Sequence, residues 1–158
     1  MRRSVLVSIV TPVAALAAAQ LVPYGRDHSN PPVAAEPAWD SPKTRDLAAR
    51  ACFDCHSNET EWPWYSHVAP VSWLVQNDVV VGRSKLNWSE WNRPQDEADE
   101  AADSLRSGEM PIAAYRWIHP HAQLTATERA DLESGLVRTF GGGEESGETA
   151  ESSEPDEG

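Results

Sequence analysis

Cys52 and Cys55 are the only cysteines of this 158-residue chain, and His56 follows at once in the stretch RACFDCHSNET. Three chemistries use a C-x-x-C pair. A thioredoxin-like redox pair sits beside a βαβ pattern, which the chain lacks. A structural zinc site takes four ligands, usually from two knuckles. His56 and one distant histidine could complete it, but the chain has no second C-x-x-C and no H-x-x-x-H. C-x-x-C-H is the attachment pattern of c-type haem. Two intervening residues let both sulfurs reach the two vinyl positions along one side of a porphyrin. The next residue, His56, is then placed under the iron as proximal ligand. Zinc and a disulfide stay open at this point, and haem is the preferred reading because C-x-x-C-H is its attachment pattern.

A second iron ligand is expected if the site serves electron transfer. Apart from the initiator, the chain has one methionine, Met110, in SGEMPIAAY. Gly108 permits a sharp turn before it, and Pro111 fixes the exit. His/Met ligation raises a reduction potential. The bland alternative is a methionine filling a gap in the core. His67, His119 and His121 are the competing ligands. Six tryptophans lie between residues 62 and 117, suited to a flat apolar macrocycle or to an ordinary aromatic core. Trp62, Trp64 and Trp73, closest in sequence to the cysteines, are the ones expected against a porphyrin. Arg83 is a candidate for a haem propionate, with a solvated helix end as its alternative.

Four helices should position these residues. Ser41-Pro42 gives an N-cap and a proline at the first helical position, opening a helix that runs into the cysteine pair. A second begins near Pro70, places Val71, Leu74, Val75 and Val79 at helical spacing, and stops at Gly82. A strand over DVVVG is the short alternative. The third spans about Pro94 to Ser107 and stops at Gly108. Thr125-x-x-Glu128 is a capping box for the fourth, with Leu132, Leu136 and Phe140 on one face. No segment alternates as a half-buried strand would. The expected fold is all-α: a small helical domain around a covalent haem.

The ends bound the cellular setting. Arg2-Arg3 precede an uncharged run from Ser4 to Val22, which reads as an export signal or a retained membrane anchor, with Pro12 tolerated inside it. The anchor is preferred, and it leaves the rest of the chain on the periplasmic side. Residues 1–22 are thus signal or anchor, and 23–39 a linker with four prolines, read as an extended spacer. Residues 40–140 form the haem domain, and 141–158 a tail with seven acidic and no basic residues, read as disordered. The net charge is −12, and no basic patch exists to neutralise phosphates, so nucleic acid is excluded as a partner.

The motifs CFDCHSNET, WPWYSHVAPVSWLVQNDVVVGRSKLNWSEW and GEMP…Y…HP.A.LT..E...L resemble the bacterial haem-binding domain family, small exported proteins related in character to class I cytochromes c. The resemblance runs from about Leu21 to Val137 and includes QLVPYGRDHSNPPV. It implies one covalent haem c on Cys52 and Cys55, with His56 on the iron and, by position, Met110 as sixth ligand. The expected function is one-electron transfer with protein redox partners. Lys43 and Lys85 are the only lysines, so steering should favour basic partners and weaken with salt. The alternative is a small-ligand sensor or peroxidase-like enzyme with an open iron position, in which His119 or His67 would act as distal acid or base.

Overall fold

A computed structural model describes residues 2–141. Helix α1 covers Arg2–Ala19, with Pro12 inside it. Then come α2 (Pro42–Ala51), α3 (Phe53–His56), α4 (Val71–Lys85), α5 (Ala101–Ser107), α6 (Ala113–Ile118) and α7 (Ala126–Phe140), with 3₁₀ turns at Trp64–His67 and Pro120–Ala122. Among the described residues the only β pairing is one isolated parallel bridge, Ala35 to Glu90. The architecture is all-α, as the periodicity predicts. The acidic tail expectation lies outside the described residues.

The two best-signalled helix starts are built as their residues dictate. Ser41 Oγ accepts from Thr44 N at 3.2 Å, with Pro42 at the first turn of α2. Thr125 and Glu128 complete a reciprocal capping box on α7. Glu128 also takes a hydrogen bond from Arg50 Nη1 at 2.6 Å, joining α7 to α2. Between these helices and α5 lies the core: Leu47, Ala48, Phe53, Leu86, Trp88, Ala102, Leu105, Leu132 and Leu136. An aromatic cluster closes it, with Trp39 5.4 Å from Trp88 edge-on and Trp91 5.0 Å from Phe140, centroid to centroid. Trp39 had been assigned to the linker; its ring belongs to the core's edge.

Two helices depart from expectation. α4 does not stop at Gly82 but runs on to Lys85, and the valine run 79–81 is helical throughout. Only the last half of the third segment is α-helix, because irregular chain at 94–95 and turns over 96–100 precede α5. Its alanine-rich face is too thin to hold a longer helix by burial, and only Ala102 and Leu105 are buried.

The proline-rich segment is not a free spacer. It lacks helix, and its polar groups are met by the domain instead. Ala34 N donates to Ser89 O at 2.8 Å, and Trp91 N to Ala35 O at 3.0 Å. Asn30 Nδ2 donates to Thr60 O at 2.8 Å. Arg83 ties the strap down from α4: Nε donates to Ser57 O, Nη1 to Ser29 O, and Nη2 to both Asn30 Oδ1 and Thr60 Oγ1. Proline leaves a chain with few donors to pair with itself, so the surrounding loops supply them. Upstream, the Gln20 amide clasps the backbone of one residue, with Nε2 donating to Ala69 O and Oε1 accepting from Ala69 N. Among the described residues, no helix is long and apolar enough to cross a membrane. α1 nonetheless exposes Ile9, Val10, Val13 and Leu16.

The Arg50 guanidinium and the Thr125 donors hold Glu128 down to about 2 from its ordinary 4.5. A lowered carboxylate stabilises the fold above its unfolded value, and that contribution fades as pH falls through the folded one. Glu128→Gln should therefore lower the melting temperature at neutral pH. The gap to wild type should close as pH falls from about 4.5 to about 2, as thermal melts across that range will show.

Candidate cofactor site

α2 delivers Cys52 as its C-cap, and the four-residue α3 carries Cys55 and His56. A helical turn here puts the two cysteines and the histidine on adjoining positions of one surface. That surface faces α4 at close range. A Cβ on Gly82 would lie 2.4 Å from the Cys55 carbonyl oxygen, so only glycine lets the two helices approach this far. Gly82, expected as a helix stop, is a contact point.

His56 is oriented by the segment just after α4. Its Nδ1 sits 3.1 Å from Leu86 O. The carbonyl can only accept, so Nδ1 carries the proton and Nε2 keeps its lone pair. Trp88 N donates back to His56 O at 2.9 Å. Behind it, Asn87 Nδ2 donates to Asn58 Oδ1 at 2.9 Å, and Asn58 N donates to Ser89 Oγ at 2.9 Å, both buried. Burial lowers the imidazole's pKa despite the Leu86 carbonyl, which favours the neutral, ligating form.

Cys52, Cys55, His56 and Met110 line one cavity of about 350 Å³, within the range of small-molecule and cofactor sites. Its walls include Val81, Leu105, Leu132, Leu136 and Trp88, and it also borders Asp78, Glu97, Glu100 and Glu109. The Trp88 indole Nε1 is buried with no hydrogen-bond partner, as is that of Trp73, which does not line the cavity. Met110 sits on the loop after α5. Gly108 caps α5 in the left-handed region, φ 83°, and Met110 N donates to Ser104 O at 3.0 Å. Tyr115 of α6 completes the wall, its O–H donating to Asp54 Oδ2 at 2.6 Å.

The rival cysteine chemistries lose ground here. Burial pushes both thiols up to about 12, the opposite of a reactive redox pair. Among the described residues, no group of three or more His, Cys, Asp or Glu could hold a metal ion. A largely apolar slot with two thiols, an oriented imidazole and a thioether has the donor set that haem needs.

The comparison with known families agrees. Residues 14–137 match the model of a haem-binding domain. The chain belongs to that family. It is a haem-binding protein, and no curated protein and no solved structure matches it.

The structure brings together the four residues carrying the sequence's strongest chemical signals and leaves others aside. Trp62, Trp64, Trp73 and Arg83 are not among the haem cavity's lining residues. Trp62 packs on His28 at 4.5 Å and donates to Asn30. Trp64 is 78% exposed. Trp73 lies half-buried on α4, and Arg83 serves the strap. Nearness in sequence misleads because the chain leaves the cysteines through residues 57–63 and turns towards the N-terminal segment. Trp88, 33 residues beyond Cys55, reaches the cavity because α4 folds back; nothing in the sequence sets it apart from its neighbours. His67, His119 and His121 do not line the cavity either.

Gly82→Ala should force α3 and α4 apart, since the obstructing atom is backbone. We expect less haem incorporated per chain, measured as the ratio of Soret to protein absorbance, and a lower melting temperature.

Proposed function

We propose that the protein is a one-electron carrier holding a single c-type haem, with thioethers from Cys52 and Cys55, His56 as proximal ligand and Met110 as distal ligand. The observation that carries this reading is that His56 and Met110 border the same cavity as both cysteines. When bound, the haem supplies reversible exchange of one electron between ferric and ferrous iron. The chain's own residues do the rest. Leu86 O keeps the His56 proton on Nδ1, so the ring binds through Nε2 in one tautomer. The apolar walls exclude water, which limits reorganisation around the metal and, with Met110, raises the potential. A filled sixth position leaves no room for substrate.

A peroxidase-like role would need a distal acid or base. His119 is taken up elsewhere: Tyr65 O–H donates to its Nε2 at 2.7 Å, and its Nδ1 donates to Tyr115 O at 3.0 Å. His67 is exposed and packs against His28. This supports the carrier over the enzyme.

Export and attachment to a membrane on the periplasmic side belong to the same proposal. The basic start and the exposed apolar side chains of α1 support it. The redox partners would be proteins with a basic docking face, given the net charge of −12.

The oxidised protein should show the far-red absorption band of methionine-ligated ferric haem. Met110→Ala should abolish the band, lower the potential and admit carbon monoxide to the reduced iron. A wild-type protein that lacks the band and binds carbon monoxide readily would overturn the carrier reading.

Intact mass of the mature chain should equal polypeptide plus one haem that resists acid acetone. Cys52→Ala with Cys55→Ala should release the pigment. The same spectrum reads whether residues 1–22 are retained.

A further inference from the structure

The Met110 loop is held very differently on its two sides. Upstream it is fixed to α5, whose Ala102 and Leu105 are buried in the core. Downstream Pro111 is still buried, but α6, which follows, has no buried residue. Among the helices and 3₁₀ turns, α6 packs only against the Pro120–Ala122 turn. Burial therefore cannot hold it in place.

What reaches out from α6 is Tyr115. Its hydroxyl donates to Asp54 Oδ2 at 2.6 Å, a short bond of the charge-assisted kind. Asp54 lies between the two cysteines, 61 residues away in the chain. The Tyr115 ring also stacks on His119 at 4.0 Å, and His119 is pinned by the Tyr65 hydroxyl. Arg50 Nε donates to His121 O at 3.2 Å, fixing the neighbouring turn to α2. Of these ties, the phenol–carboxylate bond alone joins α6 directly to the cysteine helix, and Tyr115 itself borders the cavity.

We propose that Tyr115 is a positioning residue for the distal ligand: its hydrogen bond to Asp54 latches the Met110 loop across the cavity onto the segment that carries both cysteines. The inference rests on the His/Met reading above. Burial and the Asp54 carboxylate both raise the phenol's pKa, so it stays a donor across the ordinary pH range. Removing the hydroxyl leaves the ring, its stack on His119 and the cavity wall. What it removes is a bond to a charged acceptor, and the loop's freedom to leave the iron grows accordingly.

The test uses the intact holoprotein with Tyr115→Phe, Asp54→Ala and Asp54→Asn, beside Met110→Ala. Haem content and far-ultraviolet circular dichroism should match wild type in Tyr115→Phe. The far-red methionine band should weaken, and the fraction of ferrous iron binding carbon monoxide should rise about tenfold, the factor carried by a charged hydrogen bond at a partly exposed site. Asp54→Ala should do the same. Asp54→Asn, whose amide oxygen can still accept from Glu61 N while its NH2 donates to the Tyr115 oxygen, should keep most of the band. If Met110→Ala loses the band while Tyr115→Phe keeps it, with carbon monoxide binding unchanged, the latch is refuted and the ligand assignment stands. If the wild type has no band for Met110→Ala to remove, the ligand assignment itself fails. If Tyr115→Phe also loses haem, Asp54→Asn decides: a wild-type band there supports the latch, and a band as weak as in Asp54→Ala refutes it.

Discussion

The bond between the His56 imidazole and the Leu86 carbonyl is the constraint on which the rest of the site depends. It selects the tautomer that can bind iron. It also requires the end of α4 to lie beside α3, which in turn requires Gly82 where the two backbones meet. The residues that follow, Asn87 to Ser89, close around the histidine with buried side-chain hydrogen bonds to Asn58. A buried polar network that is fully paired fixes one geometry, because each member left unpaired would cost free energy. The proximal side is therefore built as one rigid block of α3, the end of α4 and the 86–89 segment.

The distal side is built on other principles. Met110 is partly exposed, and it follows a short helix and precedes a helix that buries nothing. Few buried contacts mean a low cost of local opening. The loop bearing Met110 can therefore shift while the segment carrying the cysteines and His56 stays fixed. The carboxylates bordering the cavity would favour the ferric state of a haem bound there, since negative charge stabilises the more positive metal.

Features with a local chemical cause were legible in the sequence. The Ser41 cap and the Thr125–Glu128 box act over a few residues, and each is where its pattern puts it; the C-x-x-C-H stretch and Met110 border one cavity. What was not legible depends on how the chain folds back. Trp88 enters the cavity wall while Trp62, Trp64 and Trp73 stay out of it, although all are tryptophans in one stretch of sequence. Gly82 carries the signature of a helix end, yet it lies inside the helix, since the same missing side chain serves a turn or a close contact. Arg83 looked like a partner for an anionic ligand, and its guanidinium instead collects the carbonyl and side-chain oxygens of a segment far upstream. The proline content of that segment signalled extension correctly and detachment incorrectly, because proline says nothing about what an extended chain lies against.

The strap between α1 and the domain has a consequence for how far the domain can travel. A flexible spacer of its 17 residues would let the domain wander over roughly 20–25 Å. The observed chain gives out almost no slack, since Gln20, the residue directly after α1, already grips the peptide at Ala69. Wherever the first helix is moored, the haem-binding domain is moored with it. A domain on so short a leash meets only what comes within its reach.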